Sequence, residues 1–284
     1  MARVTATVSV ALLAFLGIQG CSEESKNPVA LTVIASEPEA GKYAFDVPAS
    51  VEGGVVKIEL KNTGKEPHDL QLIKVKDGTA PEKLVEDLLE SEGAPFPDYM
   101  LDGAGGVGTI APGATSTVTQ ELDAGTYVYY CSIDGDTGSH YENGMLGAVT
   151  LKGDKGKGDL PKAEGSIKAK EYGYEFSGLK AGSNTITFEN TGQQFHHAQI
   201  LPVSPGKTFE EAKAAFLSQE EPTGPPPVEF EKAVGTAMLA PGEKQVQTNL
   251  TLESRTYLVV CFIPDKTGGP PHLVKGMAQQ LDLS

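Results

Sequence analysis

Tyr129–Leu151 reads YYCSIDGDTGSHYENGMLGAVTL. Cys131, His140 and Met145 share one loop that is otherwise rich in Gly, Asp and Ser. A lone cysteine or methionine is ordinarily a packing residue, and this turn offers too little apolar sequence to need two. A second copy, VVCFIPDKTGGPPHLVKGMAQQLDL, runs from Val259 to Leu283 and repeats the order with Cys261, His272 and Met277. The first loop is spaced Cys-x8-His-x4-Met and the second Cys-x10-His-x4-Met.

Working outward, the likeness extends through both halves of the chain. KNTGKEPHDLQLI (Lys61 to Ile73) matches ENTGQQFHHAQIL (Glu189 to Leu201). Gly108 to Cys131 matches Gly235 to Cys261 with small insertions, each copy carrying an APG turn. The offset stays between 128 and 130 residues (Asn62 to Asn190, Ala111 to Ala240, Cys131 to Cys261), which marks a duplicated domain. The expected organisation is a signal peptide over 1–20, a tether over 21–30, one domain over 31–151, a Gly/Lys/Asp-rich linker over 152–164, and a second domain over 165–284.

Within each copy, GVVKIELKN and NTITFEN alternate apolar and polar residues with the period of half-buried strands. TYVYYC sets Tyr127, Tyr129 and Cys131 on one face, and TYLVVC does so with Tyr257, Val259 and Cys261. Many short strands with Gly/Pro turns predict an all-β fold of two tandem Greek-key sandwiches. Each copy also predicts one short helix. Thr79 with Glu82 and Thr208 with Glu211 have capping-box spacing. Leu84, Val85, Leu88 and Leu89 follow the first, and Phe209, Ala212, Phe216 and Leu217 the second, as stripes that pack on the sheet.

The 284 residues include 33 Gly, 19 Pro and no Trp, with a formal charge of −15. That balance speaks against nucleic acid or an anionic lipid surface as partner, and leaves room for a basic protein face. At the N-terminus, Arg3 precedes an apolar run too short for a comfortable span, followed by LGIQGC. It reads as a secretory signal resembling a bacterial lipobox. Cys21 is then the lipidated residue, and the mature protein is expected outside the cytoplasm, anchored to the cell membrane. Cys131 and Cys261 could pair in such an oxidising compartment, but each precedes a His and a Met that a disulfide does not require.

The chain has five histidines. Two imidazoles, a thiolate and a weak thioether form the ligand set of a type 1 copper site. NTGKEPHD resembles the first ligand segment of plastocyanins, and GTYVYYCSI with HYENGMLGAVTL resembles the closing segments of plastocyanins and pseudoazurins. The chain is therefore similar to the cupredoxin family twice over, across most of residues 31–284.

That resemblance implies one copper per domain. His68, Cys131, His140 and Met145 would hold the first; His196, Cys261, His272 and Met277 would hold the second. Asp69 stands where the family usually has an asparagine tying the ligand loops, and His197 falls at the same place in the second copy, where it competes with His196. The longer second loop, with GGPPH, is expected to alter the second site.

Nitrite reductases and two-domain multicopper oxidases also join two such domains, and they need further histidines for another copper centre. Here Tyr130 and Val260 precede the cysteines, and His197 alone is spare, so the sequence reads as a non-enzyme. No Walker loop, nucleophile elbow or zinc-protease motif is present. The expected function is single-electron transfer between extracytoplasmic redox proteins through Cu(I)/Cu(II). The alternatives are a copper carrier or buffer supplying an oxidase, and an interaction module with little redox role.

Overall fold

The computed structural model describes residues 27–91, 93–135, 137–218 and 224–284. The segment expected to be a signal peptide, and Cys21, lie outside the described residues. Among the described residues the chain is mostly strand, with two short α-helices, and folds as two similar β-sandwiches. In the first half, Val29–Glu39 lies parallel to Ser50–Asn62, which pairs on its other side with Thr115–Leu122. Facing them, His68–Val75 sits between Met100–Ile110 and Gly125–Tyr130, and Gly125–Tyr130 pairs in turn with Leu146–Gly156. Alternation along these strands sends Leu31, Val33, Ile58, Leu60, Leu70, Leu72, Val118 and Tyr127 into one core, with Cys131 and Met145 at its end.

The second half repeats the plan. Gly165–Lys170, Gly173–Ser177, Gly182–Asn190 and Lys244–Leu252 form one layer. Gln199–Pro202, Val234–Gly235, Thr256–Val260 and Ala278–Asp282 form the other. Phe188, Ile186, Ile200, Val259 and Cys261 lie between the two layers. Each such side chain removed from water contributes about 1.5–3 kcal/mol.

The two halves join through equivalent strands. Lys244–Leu252 pairs antiparallel with Thr115–Leu122, from Gln245 opposite Gln120 to Thr248 opposite Thr117, so one sheet runs across the boundary. Antiparallel pairing of corresponding strands places a local twofold axis between the halves. Gly108 and its counterpart Gly235 meet near that axis: a Cβ on Gly108 would lie 2.3 Å from the carbonyl carbon of Gly235. Only glycine permits so close a backbone approach.

The helices differ from expectation in one place. Phe209–Leu217 starts with the capping box of Thr208 and Glu211. Phe209, Ala212 and Phe216 cover Leu201, Leu258 and Val260, whereas Leu217 is exposed. In the first half the box does not form. Pro81 takes the first helical position and holds Ala80 extended as the N-cap, while the Thr79 hydroxyl donates to Lys76 O at 2.7 Å. The helix is one turn, Pro81–Leu84, and continues as a wider π turn over Val85–Leu89. The segment expected as linker also begins as strand, since Leu146–Gly156 runs into it and sets Gly156 opposite Gly54.

Candidate metal centres

Each site forms at one end of a sandwich, where a strand start meets a closing loop. His68 opens the strand His68–Val75, and Cys131 follows the last residue of Gly125–Tyr130. Register between these two strands brings them together. The loop is then locked by backbone bonds: His140 N–H donates to Ile133 O, Met145 N–H to His140 O, and Cys131 N–H to Met145 O. The second loop repeats all three bonds, from His272 to Ile263, Met277 to His272, and Cys261 to Met277. Its two extra residues therefore lie between Ile263 and His272, away from the donors.

The donor atoms of His68, Cys131 and His140 lie within 4.8 Å of one another, and those of His196, Cys261 and His272 do likewise. Cys131 Sγ is 3.8 Å from His68 Nδ1 and 3.5 Å from His140 Nδ1. Cys261 Sγ is 3.9 Å from His196 Nδ1 and 3.5 Å from His272 Nδ1. The imidazole centroids are 4.7 Å apart at 54° in the first site and 4.8 Å apart at 55° in the second. The longer loop thus leaves the arrangement of donors unchanged, contrary to expectation. Met145 and Met277 are fully buried at the base of each loop. The two cysteines are free, so no disulfide competes for them.

The donors suit a metal in their protonation as well as their placement. Burial, with the charge of His140 adding to it, lowers His68 to about 4, and burial with the charge of His196 lowers His272 to about 4. Burial lowers His196 too. These imidazoles are neutral at neutral pH and offer a lone pair at Nδ1. Burial pushes the Cys261 thiol up to about 12 and the Cys131 thiol well above the usual range. A cation must displace those protons. Asp69 N–H points at Cys131 Sγ at 3.4 Å, a bond that stabilises a thiolate.

Asp69 and His197 perform the same task by different chemistry. The Asp69 carboxylate accepts from Ser132 N at 2.7 Å and from the Ser132 hydroxyl at 2.5 Å, tying the two ligand segments purely as an acceptor. His197 Nε2 accepts from Phe262 N at 2.9 Å, the corresponding residue of the second loop. His197 is therefore committed to that bond, and His196 is the histidine that faces Cys261.

Four carboxylates escaped the sequence reading. His140 Nε2 is 3.1 Å from Glu66, His196 Nε2 3.1 Å from Glu171, His272 Nε2 3.0 Å from Asp265, and His68 Nε2 3.5 Å from Glu37. Glu66, Glu171 and Asp265 hold their rings with Nδ1 turned inward, whereas Glu37 faces His68 Nε2 beyond hydrogen-bond contact. Tyr43 stacks on His140 at 3.8 Å between centroids, and Tyr172 lies over His272 at 5.0 Å. Glu37 and Glu171 also accept from the backbone N–H pair just ahead of the first histidine of their site. The available signal was an acidic residue at a strand end (Glu37, Glu171) or in a ligand loop (Glu66, Asp265), which is too common to single out.

Fold and donors together define a protein with cupredoxin-type sandwiches and two His–Cys–His groups that fit type 1 copper. Among solved structures, it is similar to auracyanin from the photosynthetic bacterium Roseiflexus castenholzii, at 25% identity over 43% of this chain and 96% of that one, with a TM-score of 0.27. It is also similar to the copper nitrite reductase of Nitrosomonas europaea, at 16% identity over 91% and 94% of the two chains, with a TM-score of 0.28. A multicopper oxidase from Pediococcus acidilactici matches at 12% identity over 84% and 55%, with a TM-score of 0.29. No family model and no curated protein matches the chain. The expectation of a non-enzyme is corrected by these neighbours. The similar structures include multicopper oxidases and copper nitrite reductases as well as auracyanins, so the fold is shared by enzymes.

Proposed function

We propose that this chain is an extracytoplasmic copper protein, tethered to the membrane through Cys21, that passes single electrons between redox proteins. The observation that carries the reading is the repetition of one buried donor geometry in two loops of different length. Bound copper would supply one-electron cycling between Cu(I) and Cu(II), with His68, Cys131, His140 and Met145 holding one ion and His196, Cys261, His272 and Met277 the other.

The protein's part is to keep those donors fixed. The loop bonds, the carboxylates behind the imidazoles and the Asp69 and His197 ties leave little to rearrange when charge changes. Complete burial of every donor also disfavours the carrier reading, because a cargo ion needs an exposed route for exchange. The net charge of −15 suits a basic partner face, whose approach would weaken with salt.

A second reading, one-electron oxidation of a small molecule, is favoured by a cavity of about 910 Å³. Ser132 and Ile133 of one cysteine loop and Phe262 and Ile263 of the other line it, with Phe96 and Met238.

Copper titration of the metal-free protein, followed by visible absorption, tests the electron-transfer reading. It expects strong thiolate-to-copper bands saturating at two ions per chain, each band lost in Cys131→Ser or Cys261→Ser. Colourless, readily exchanged Cu(I) would refute it. Mass spectrometry of the membrane-extracted N-terminus expects an acylated Cys21.

A further inference from the structure

A buried chain of hydrogen bonds runs from the thiol of one site to a ligand histidine of the other. Asp69 N–H points at Cys131 Sγ at 3.4 Å. The Asp69 carboxylate accepts from Gln71 Nε2 at 2.9 Å. Gln71 Oε1 then crosses the boundary between the halves and accepts from Met238 N–H at 2.9 Å. One peptide further on, Leu239 N–H donates to His196 O at 2.9 Å, and His196 N–H returns a bond to Leu239 O at 3.1 Å. Asp69, Gln71, Met238, Leu239 and His196 are all buried. The amide of Gln71 has a single sensible orientation, because reversing it would set its oxygen against the Asp69 carboxylate and its NH2 against a backbone N–H.

We infer that Gln71 is the conduit for electron transfer between the two metal centres, an inference that rests on the electron-transfer reading above. With copper held by both donor sets, an electron would pass from Cu(I) at one centre to Cu(II) at the other, with no proton or bond moved. Hydrogen bonds couple neighbouring groups more strongly than van der Waals gaps of the same span, and this chain is interrupted by no such gap.

The local twofold supplies an internal control. Gln199, the counterpart of Gln71, also crosses the boundary but exchanges bonds with the Thr109 hydroxyl at 3.1 Å. The group that reaches the Cys261 sulfur in this half is the His197 backbone N–H, and the Gln199 side chain bonds to Thr109 and not to His197, so no continuous set of hydrogen bonds links it to Cys261.

The test uses the two-copper protein in a Met277→Gln background, where the altered axial ligand separates the two sites spectroscopically. A pulse delivers one electron per molecule, and its redistribution is timed in the parent, Gln71→Leu and Gln199→Leu, with site potentials measured on each so that rates are compared at equal driving force. Gln71→Leu is expected to slow the step severalfold, and Gln199→Leu to leave it unchanged. In the metal-free parent, NMR is expected to show scalar coupling across the Met238 N–H···Gln71 bond. Equal rates in the parent and Gln71→Leu, equal slowing by both variants, or a missing coupling would overturn the conduit while the copper bands stand. Absence of a thiolate-to-copper band at both sites would instead sink the electron-transfer reading, and this one with it.

Discussion

Replacing Gly108 by alanine puts one methyl group into the tightest contact between the two halves. The ideal Cβ would lie 2.3 Å from both the carbonyl carbon and the oxygen of Gly235, and 2.5 Å from the carbonyl carbon of Thr236. All three are backbone atoms within paired or bridged segments, so relief requires the halves to part or a strand to bend. Overpacking of this kind typically costs about 1–3 kcal/mol, and a backbone-on-backbone clash belongs at the upper end. In a chain of this size about 3 kcal/mol lowers the melting temperature by roughly 6–12 °C. Gly103 lies on the same strand, Met100–Ile110, and the atoms nearest its Cβ would be Cβ and Cδ of the Lys74 side chain, each at 3.0 Å and none of them backbone. Gly103→Ala should cost clearly less than Gly108→Ala, since its contacts are longer and alanine also restricts the unfolded chain by about 0.4–1 kcal/mol. Calorimetric melting of the metal-free parent and both variants decides the matter. If Gly108→Ala melts with the parent, or both variants fall together, the close approach of the halves is not as described.

His197→Ala should keep the second site's absorption but lose about 1–3 kcal/mol in urea unfolding, because the half-buried Phe262 N–H loses its acceptor and a buried ring is removed; His196→Ala should abolish that absorption. Copper binding should release roughly one proton per site, and the logarithm of the apparent affinity should rise by about one per pH unit between pH 7 and 9, because the thiols are held protonated by burial; titration in weak buffer with a pH indicator measures this. Burial lowers His197 to about 3, with His272 and His196 adding repulsion, so the unfolded chain binds this proton first as the pH drops. The stability it contributes is complete above its unfolded value near 6.5 and is lost as the pH falls toward 3. Between pH 7 and 5 the metal-free parent should therefore lose about 2 kcal/mol more than His197→Ala does, which denaturation of both proteins at the two pH values would check.

Much of the site was legible because its geometry is covalent and local. Cys131, His140 and Met145 lie on one loop, and the repeat supplied His68 and His196 from the two NTG segments. The supporting groups were not legible for the opposite reason. Glu37 and Glu171 reach their histidines from a distant strand end, and Gln71 finds Met238 only because two strands from different halves pair edge to edge. The first helix failed for a local cause: Thr79 and Glu82 have the spacing of a box, but Pro81 displaces the cap to Ala80. The alternation in TYVYYC marked Tyr127, Tyr129 and Cys131 as one face, yet Val128 and Tyr130 on the other face are also buried, against the second half of the molecule. Period two shows that a strand has two sides, not that either one meets water.

The edge pairing of Thr115–Leu122 with Lys244–Leu252 has the geometry of a symmetric homodimer written into a single polypeptide. An exposed strand edge invites association, and here each half closes the other's, so that neither is left as a template for self-association. A chain severed between Gly156 and Gly165 should therefore remain a non-covalent pair, and either fragment expressed alone should seek a second copy of itself.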